Sequence, residues 1–258
     1  MRNLIKKLLS IFFPNRVYKI RNGIAKGLIR KGGFAFIPTY KKLTSEDLFL
    51  LDLDLVGQNI YDVGGNIGLL SLFFTKAVGP KGKVIAFEPN PVCYSELINN
   101  LKANNFSHTK AYQFALGKEN SKEKLIYNPL HTGTGSINHK IKNQVIDRSK
   151  SVISIDIEVF SLDYLIETKQ FPIPDLIKID VEGLEYDVLI GMLKTMKKIK
   201  PKLFIEIHGA NIKDKVENIK RIVKMLLNNK YSIFHVELGK MINESNASNA
   251  KEGHIFCT

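Results

Sequence analysis

Cysteine is almost missing from this chain. Cys93 and Cys257 are the only two in 258 residues, they lie far apart, and neither belongs to a CxxC pair. That excludes a disulfide framework and a thiolate zinc site, and it favours a reducing, cytoplasmic compartment. A long hydrophobic run is missing too. The first residues, MRNLIKKLLSIFF, are interrupted by Lys6 and Lys7 and lead to no small-residue cleavage site, so they make neither a secretory signal nor a membrane span. There is no internal repeat and no Pro- or Ser-rich linker. The formal charge is +13, yet the lysines form no block and no basic motif interleaved with aromatics. Nucleic acid is therefore not expected as a partner, and the charge reads as a lysine-rich composition.

Apolar residues make up 44% of the chain, enough for the core of one large domain with an extension. Residues 1–56 read as an N-terminal helical extension. One or two helices are expected over residues 1–30, a short strand at GGFAFIP, and a helix in TSEDLFLLDL capped by Thr44 or Ser45. Leu4, Ile5, Leu8, Leu9 and Phe12 fall at helical spacing beside Arg2, Lys6 and Lys7. Such a basic amphipathic helix can pack on its own domain, cap a dimer, or let residues 1–13 touch the inner face of a membrane peripherally. The sequence leaves the oligomeric state open.

From residue 57 to 258, apolar strands alternate with helices. Strands are expected at NIYDV, KVIAF, KAYQFAL, DLIKIDV, KLFIEI, YSIFHVEL and HIFCT. Helices are expected over Leu69–Val78, after Asn90-Pro91, over Leu184–Met196 and over residues 212–229. This order implies an α/β fold, a doubly wound and mostly parallel seven-stranded sheet. The last two strands have no helix between them and should pair antiparallel. Residues 118–160 differ: KEKLIYN and SVISIDIEVF alternate like strands around the polar HTGTGSINHK, which suggests a β-rich insertion. His131, Thr134 and Ser136 in that insertion are candidates for covering a substrate.

The chemistry concentrates at strand ends, where ligands of such sheets bind. Asp62, Gly64, Gly65, Asn66 and Gly68 join the first strand to its helix. Counted from Gly64, the dinucleotide fingerprint fails at Asn66 and Leu69, and no P-loop is present. An aspartate ahead of the glycines would repel a phosphate but can pair with an ammonium group. Glu88, about 20 residues after the turn, can accept both hydroxyls of a ribose. Ribose plus ammonium without phosphate describes S-adenosyl-L-methionine. Phe114 and Ala115, with Leu116, lie where the third strand would reach an adenine; a plain core role is the alternative. Asp180 ends an apolar strand and needs a cation such as Lys178 or a ligand ammonium. Glu182 follows it, either in the site or capping the next helix. Glu206 and His208 share a face of the fifth strand. His208 is a candidate base for an acceptor hydroxyl, with Glu206 orienting it. Asp180, Glu206 and His208 lack tight ligand spacing, so no metal is expected.

DVGGNIG, then VIAFEPNP, then DLIKIDVEGLE resembles the FkbM family of S-adenosylmethionine-dependent methyltransferases over roughly residues 57–210. The resemblance implies a Rossmann-like class I methyltransferase sheet. It also implies methyl transfer, usually to an oxygen of a sugar, glycan or other small hydroxylated acceptor. Asp62, Gly64, Asn66 and Gly68 match its cofactor turn, Glu88 its ribose acid, and Asp180, Glu182 and Gly183 its KIDVEG segment. Gly65 stands where alanine is common. A nicotinamide oxidoreductase and a non-catalytic membrane- or partner-docking module remain as the competing functions.

Overall fold

The computed structural model describes residues 16–32, 42–128, 131–137, 152–169 and 171–258. The amphipathic stretch 1–13 and most of GGFAFIP lie outside the described residues. Eight strands form the main sheet: β3 (Asn59–Val63), β4 (Lys83–Phe87), β5 (Thr109–Tyr112), β10 (Leu176–Ile179), β11 (Lys202–Glu206), β12 (Ile233–His235), β13 (Lys240–Ile242) and β14 (His254–Cys257). Their order is β13-β12-β14-β11-β10-β3-β4-β5. Parallel pairing puts Ile60 beside Leu176 and Val84, and Tyr61 beside Ile177 and Ile85. β14 runs antiparallel between β11 and β12. The seven expected strands are thus joined by a short eighth, β13, at the edge beside β12.

Side chains alternate across the strands, so each face gathers its own core. Ile60, Val84, Leu176 and Phe204 meet Leu50 of α1 (Ser45–Leu51) and Phe73, Phe74 and Val78, from α2 (Leu69–Val78). Tyr61, Ile85, Ile177 and Ile205 face the other way, toward α4 (Leu162–Lys169), α5 (Glu185–Ile190), α6 (Leu193–Lys198) and α7 (Ile212–Asn228). Thr44 caps α1 in a reciprocal box with Asp47, and Asn90 caps α3 (Pro91–Ala103), which starts on Pro91.

Three local expectations change. The described part of residues 1–30 is a hairpin, β1 (Val17–Lys19) with β2 (Ile29–Lys31), not helix. Gly23 and Gly27 adopt left-handed backbone inside it. The hairpin is tied to α3 by Asn100 and Asn104, whose side-chain oxygens accept from Lys31 N (2.9 Å) and Ile29 N (2.8 Å). KAYQFAL is not one strand either: β5 ends at Tyr112, and β6 (Ala115–Leu116) leaves for a second sheet. That sheet, in order β6-β9-β7-β8, contains β7 (Ser121–Asn128), β8 (His131–Ser136) and β9 (Ile153–Phe160). Finally, the helix expected over Leu184–Met196 is split into α5 and α6. A Cβ on Gly191 would overlap the Gly117 carbonyl oxygen. Asp163 caps the restart, accepting from Lys194 N and Thr195 N at 2.9 and 2.8 Å.

Candidate active site

The glycine turn after β3 is shaped by what it must approach. Gly64 has φ +79°, and a Cβ there would overlap the carbonyl oxygen of Asp180 at the end of β10. Gly64 N and Gly65 N both donate to Phe87 O, each at 3.0 Å, which ties the turn to β4. Gly68 (φ +86°) opens α2 against Leu97. Asn66, at φ +48°, turns its N–H onto Glu88 Oε2 at 2.8 Å. The ends of β3, β4 and β10 are therefore pulled together at this turn.

Under this turn lies a buried ion network. Lys178 Nζ is 3.2 Å from Asp62 Oδ1, 3.2 Å from Asp180 Oδ2 and 3.1 Å from Gly64 O. Ser71 Oγ donates to Asp62 Oδ2 at 2.5 Å. Burial works against the Lys178 ammonium, but Asp180 and Asp62 outweigh it and raise its pKa. Asp62 is fully buried behind the turn. The ammonium it meets is that of Lys178, where the sequence suggested a ligand's.

Glu88 borders a cavity of about 90 Å³ whose walls also include Gly64, Asn66, Ala115, Asp180 and Glu182. Its Oε1 accepts from Asn90 N at 2.8 Å, so each oxygen already holds one backbone N–H and keeps lone pairs for further donors. Burial pushes its pKa up to about 7 against those two bonds. Leu125 of β7 and Ile137, just after β8, line the space, which is well below the several hundred Å³ of a ligand cleft. Ala115 and Leu116 line it. Phe114 does not: it packs among Phe87, Tyr112 and Phe160, with ring centroids 4.9 to 5.6 Å away.

A second cavity, of about 460 Å³, adjoins the first and shares Leu116, Ile137 and Leu184 with it. His208 lines this larger space, Asp180 the smaller one, and His208 Nε2 is 3.8 Å from Asp180 Oδ1. Glu206 Oε1 is 3.5 Å from the same Nε2. His208 Nδ1 lies 3.0 Å from Glu185 Oε1. Burial opposes the imidazolium, but the Glu185 and Glu206 carboxylates that face its N–H groups raise the His208 pKa to about 11. Glu182 sits on a left-handed turn (φ +51°) followed by Gly183 (φ +91°). Burial lifts its pKa to about 7, opposed by His208. Burial would raise Glu206 as well, but His208 and His254 hold it far below the usual carboxylate range. Ligand atoms of Asp180, Glu182 and His208 lie within 4.8 Å of one another, a spacing able to hold a cation that the sequence did not reveal. It comes from Glu182, not from the Asp180, Glu206 and His208 set considered there.

Sequence reasoning missed Glu185 and Asn218. Glu185 follows Glu182 in the same motif but was read only as helix. Asn218 lies mid-helix on α7, with no signal around it. His131, Thr134 and Ser136 lie on β8, the edge strand of the second sheet. Among the described residues, no helix is long and apolar enough to cross a membrane.

The model of the methyltransferase FkbM domain matches residues 62–233, well over half the chain. Methyltransferase 1 of Beauveria bassiana (strain ARSEF 2860) is 32% identical over 145 residues, 52% of this chain and 57% of that protein. Hexuronic acid methyltransferase AglP of Haloferax volcanii is 29% identical over 156 residues, 60% of this chain and 58% of that protein. The chain thus spans less than two thirds of the length of these curated relatives. The crystal structure of methyltransferase FkbM from Methylobacillus flagellatus KT has a TM-score of 0.51 at 19% identity, over 81% of this chain and 45% of that one, a likeness of fold. The chain belongs to the FkbM methyltransferase family. Its cofactor is S-adenosyl-L-methionine, and the donor set fits: a ribose-type carboxylate at Glu88, small and apolar walls at Ala115 and Leu116, and a carboxylate at Asp180. The nicotinamide alternative falls with that membership.

Proposed function

We propose that this protein transfers a methyl group from S-adenosyl-L-methionine to a hydroxyl oxygen of a sugar, glycan or other small hydroxylated acceptor. The observation that carries this reading is a pair of adjoining cavities, one lined by Asp180 and the other by His208, whose side chains stand 3.8 Å apart. The smaller carries Glu88 beside the glycine turn, and the larger, at about 460 Å³, has the size of a small-ligand cleft. The hexuronic acid methyltransferase among the relatives supports a carbohydrate acceptor.

When bound, the cofactor supplies a methyl on a sulfonium sulfur. Gly64, Asn66 and Ala115 bind it by shape, and Glu88 holds the ribose hydroxyls. Gly65 and Gly68 keep the turn close to Leu97. Asp62 acts from behind, through Lys178. On the acceptor side, His208 is held as an imidazolium, so its Nε2–H orients the acceptor oxygen instead of taking its proton. Glu182, with a pKa of about 7, is the carboxylate suited to receive that proton. With the cofactor bound to supply the methyl, Glu182 would take the proton that the acceptor hydroxyl gives up. Asp180 and Glu206 face Nε2 from 3.8 and 3.5 Å and favour its charge, and alignment of the two cavities supplies much of the rate.

Isothermal titration with S-adenosyl-L-methionine tests the first half: saturable one-to-one binding is expected, and no heat at millimolar cofactor overturns it. The second half is read by methyl-tritiated cofactor incubated with fractionated sugars, glycans and lipids. Label in a base-stable ether is the expected product; label only in a base-labile ester would make the acceptor a carboxylate.

A further inference from the structure

We propose that Glu185 is the positioning residue of this site: its buried carboxylate, held by Asn218, fixes the ring of His208 so that Nε2 faces the junction of the two cavities. This rests on reading that junction as the methyl-transfer centre.

Glu185 is fully buried, and a bare carboxylate there would cost several kcal/mol, on the order of an unpaired buried ion. It has three donors instead. Gly183 N (2.9 Å) and His208 Nδ1 (3.0 Å) reach Oε1, and Asn218 Nδ2 (2.8 Å) reaches Oε2. Asn218 Nδ2 also reaches His208 O at 3.1 Å, so α7 grips both the histidine backbone and the acid that orients its ring. Capping the left-handed turn would need only the Gly183 bond. The bonds from His208 and Asn218 come from β11's end and from α7, and neither serves the turn.

The consequence is directional. With Nδ1 committed to Glu185, only Nε2 can meet an acceptor. Nε2 sits 3.5 Å from Glu206 and 3.8 Å from Asp180, too far for strong hydrogen bonds to either. An acceptor oxygen can compete for that proton. The charged groups facing His208 are Glu185 on α5, Asp180 and Glu182 after β10, and Glu206 on β11. Of these, Glu185 lies nearest and is the fully buried one.

The test is nuclear magnetic resonance of the full chain with isotope-labelled histidine. In the unaltered protein, His208 should show a solvent-protected, downfield Nδ1–H; its absence overturns the proposal without any variant. Glu185→Gln keeps the shape and can still accept from Gly183 N. It should speed solvent exchange of the His208 Nδ1–H at least tenfold while cofactor affinity stays within about twofold. A folded E185Q protein whose Nδ1–H stays equally protected overturns the proposal. Failure of the unaltered protein to bind S-adenosyl-L-methionine would instead remove the methyl-transfer reading and leave the His208 resonance standing.

Discussion

Lys178 and His208 both sit among carboxylates beside the glycine turn and the cavities, and they differ in how they are held. Lys178 is sealed under the glycine turn, with Asp62 and Asp180 both at 3.2 Å and a carbonyl at 3.1 Å. His208 has one close partner, Glu185, and looser contacts with Glu206 and Asp180 on the side that opens to a cavity. A fully satisfied cation has nothing left to offer a substrate; a half-satisfied one does. On the proposed reading, Lys178 belongs to the architecture and His208 to the chemistry, with Asp180 as the residue they share. The largest expected effect follows on the Lys178 side. Lys178→Met strands two carboxylates, one of them fully buried, and should cost about 3–5 kcal/mol, read as a lower urea midpoint. A loss under about 1 kcal/mol would mean that water or rearrangement replaces the ammonium, and the contrast between the two cations would fail.

The same contrast explains what the sequence made visible. The turn, Asp62 and Glu88 lie on contiguous motifs whose spacing reflects one strand-turn-helix unit, so they could be read directly. Lys178 was also readable, because an apolar strand ending in Asp180 demands a nearby cation. The His208 side is assembled from β10, α5, β11 and α7, and no spacing in the chain encodes that meeting. Asn218 is the clearest case: a polar residue in a helix, indistinguishable from a surface one until α7 docks. In the fold, the alternating strands were plain, whereas the breaks at Gln113 and Gly191 depend on backbone contacts with distant segments. The hairpin at residues 17–31 escaped because its glycines were not weighed as turn formers.

The turn itself offers the next effect in size. Gly64→Ala forces a side chain into left-handed backbone and onto the Asp180 carbonyl. The backbone term alone is about 1–2 kcal/mol, so a loss of about 2 kcal/mol or more in chemical denaturation is expected, together with loss of cofactor binding. Because Gly64 O also meets Lys178, the damage should reach the ion network while sparing the titration of His208. If that titration moves instead, the two cation sites are one unit.

A smaller effect sharpens the cofactor side. Glu88 is raised from 4.5 to about 7 by burial. A raised acid binds its proton more tightly in the folded chain, so it is easiest on stability below pH 4.5 and its cost grows as pH rises through about 7. If Glu88 holds the ribose hydroxyls as proposed, cofactor binding needs the ionised form as acceptor, so affinity should climb through pH 7 and level above it. Glu88→Gln should cost about tenfold in affinity, since a hydrogen bond to a charged group contributes about 1.5–3 kcal/mol, and should flatten that pH dependence. Titration calorimetry at pH 6, 7 and 8 reads both; a slope that persists in the glutamine variant would move the titrating group to Glu182.

The smallest effect makes the comparison strictest. Lys124 and Asp156 face each other across β7 and β9 at 2.8 Å, closer than either acid stands to Lys178. Their side chains are 64% and 72% exposed, against 5% for Lys178 and 0% for Asp62. Lys124 lowers the pKa of Asp156 through that hydrogen bond, so the sign of the linkage is favourable above the ordinary aspartate range and vanishes in acid. Water and salt screen the pair, and both side chains give up rotamer freedom to hold it. Asp156→Asn should therefore leave the urea midpoint unchanged at neutral pH and ordinary salt. If separation decided strength, this pair would outrank the Lys178 network, and a midpoint shift approaching that of Lys178→Met would say so. If burial decides it, the shorter bond is the dispensable one.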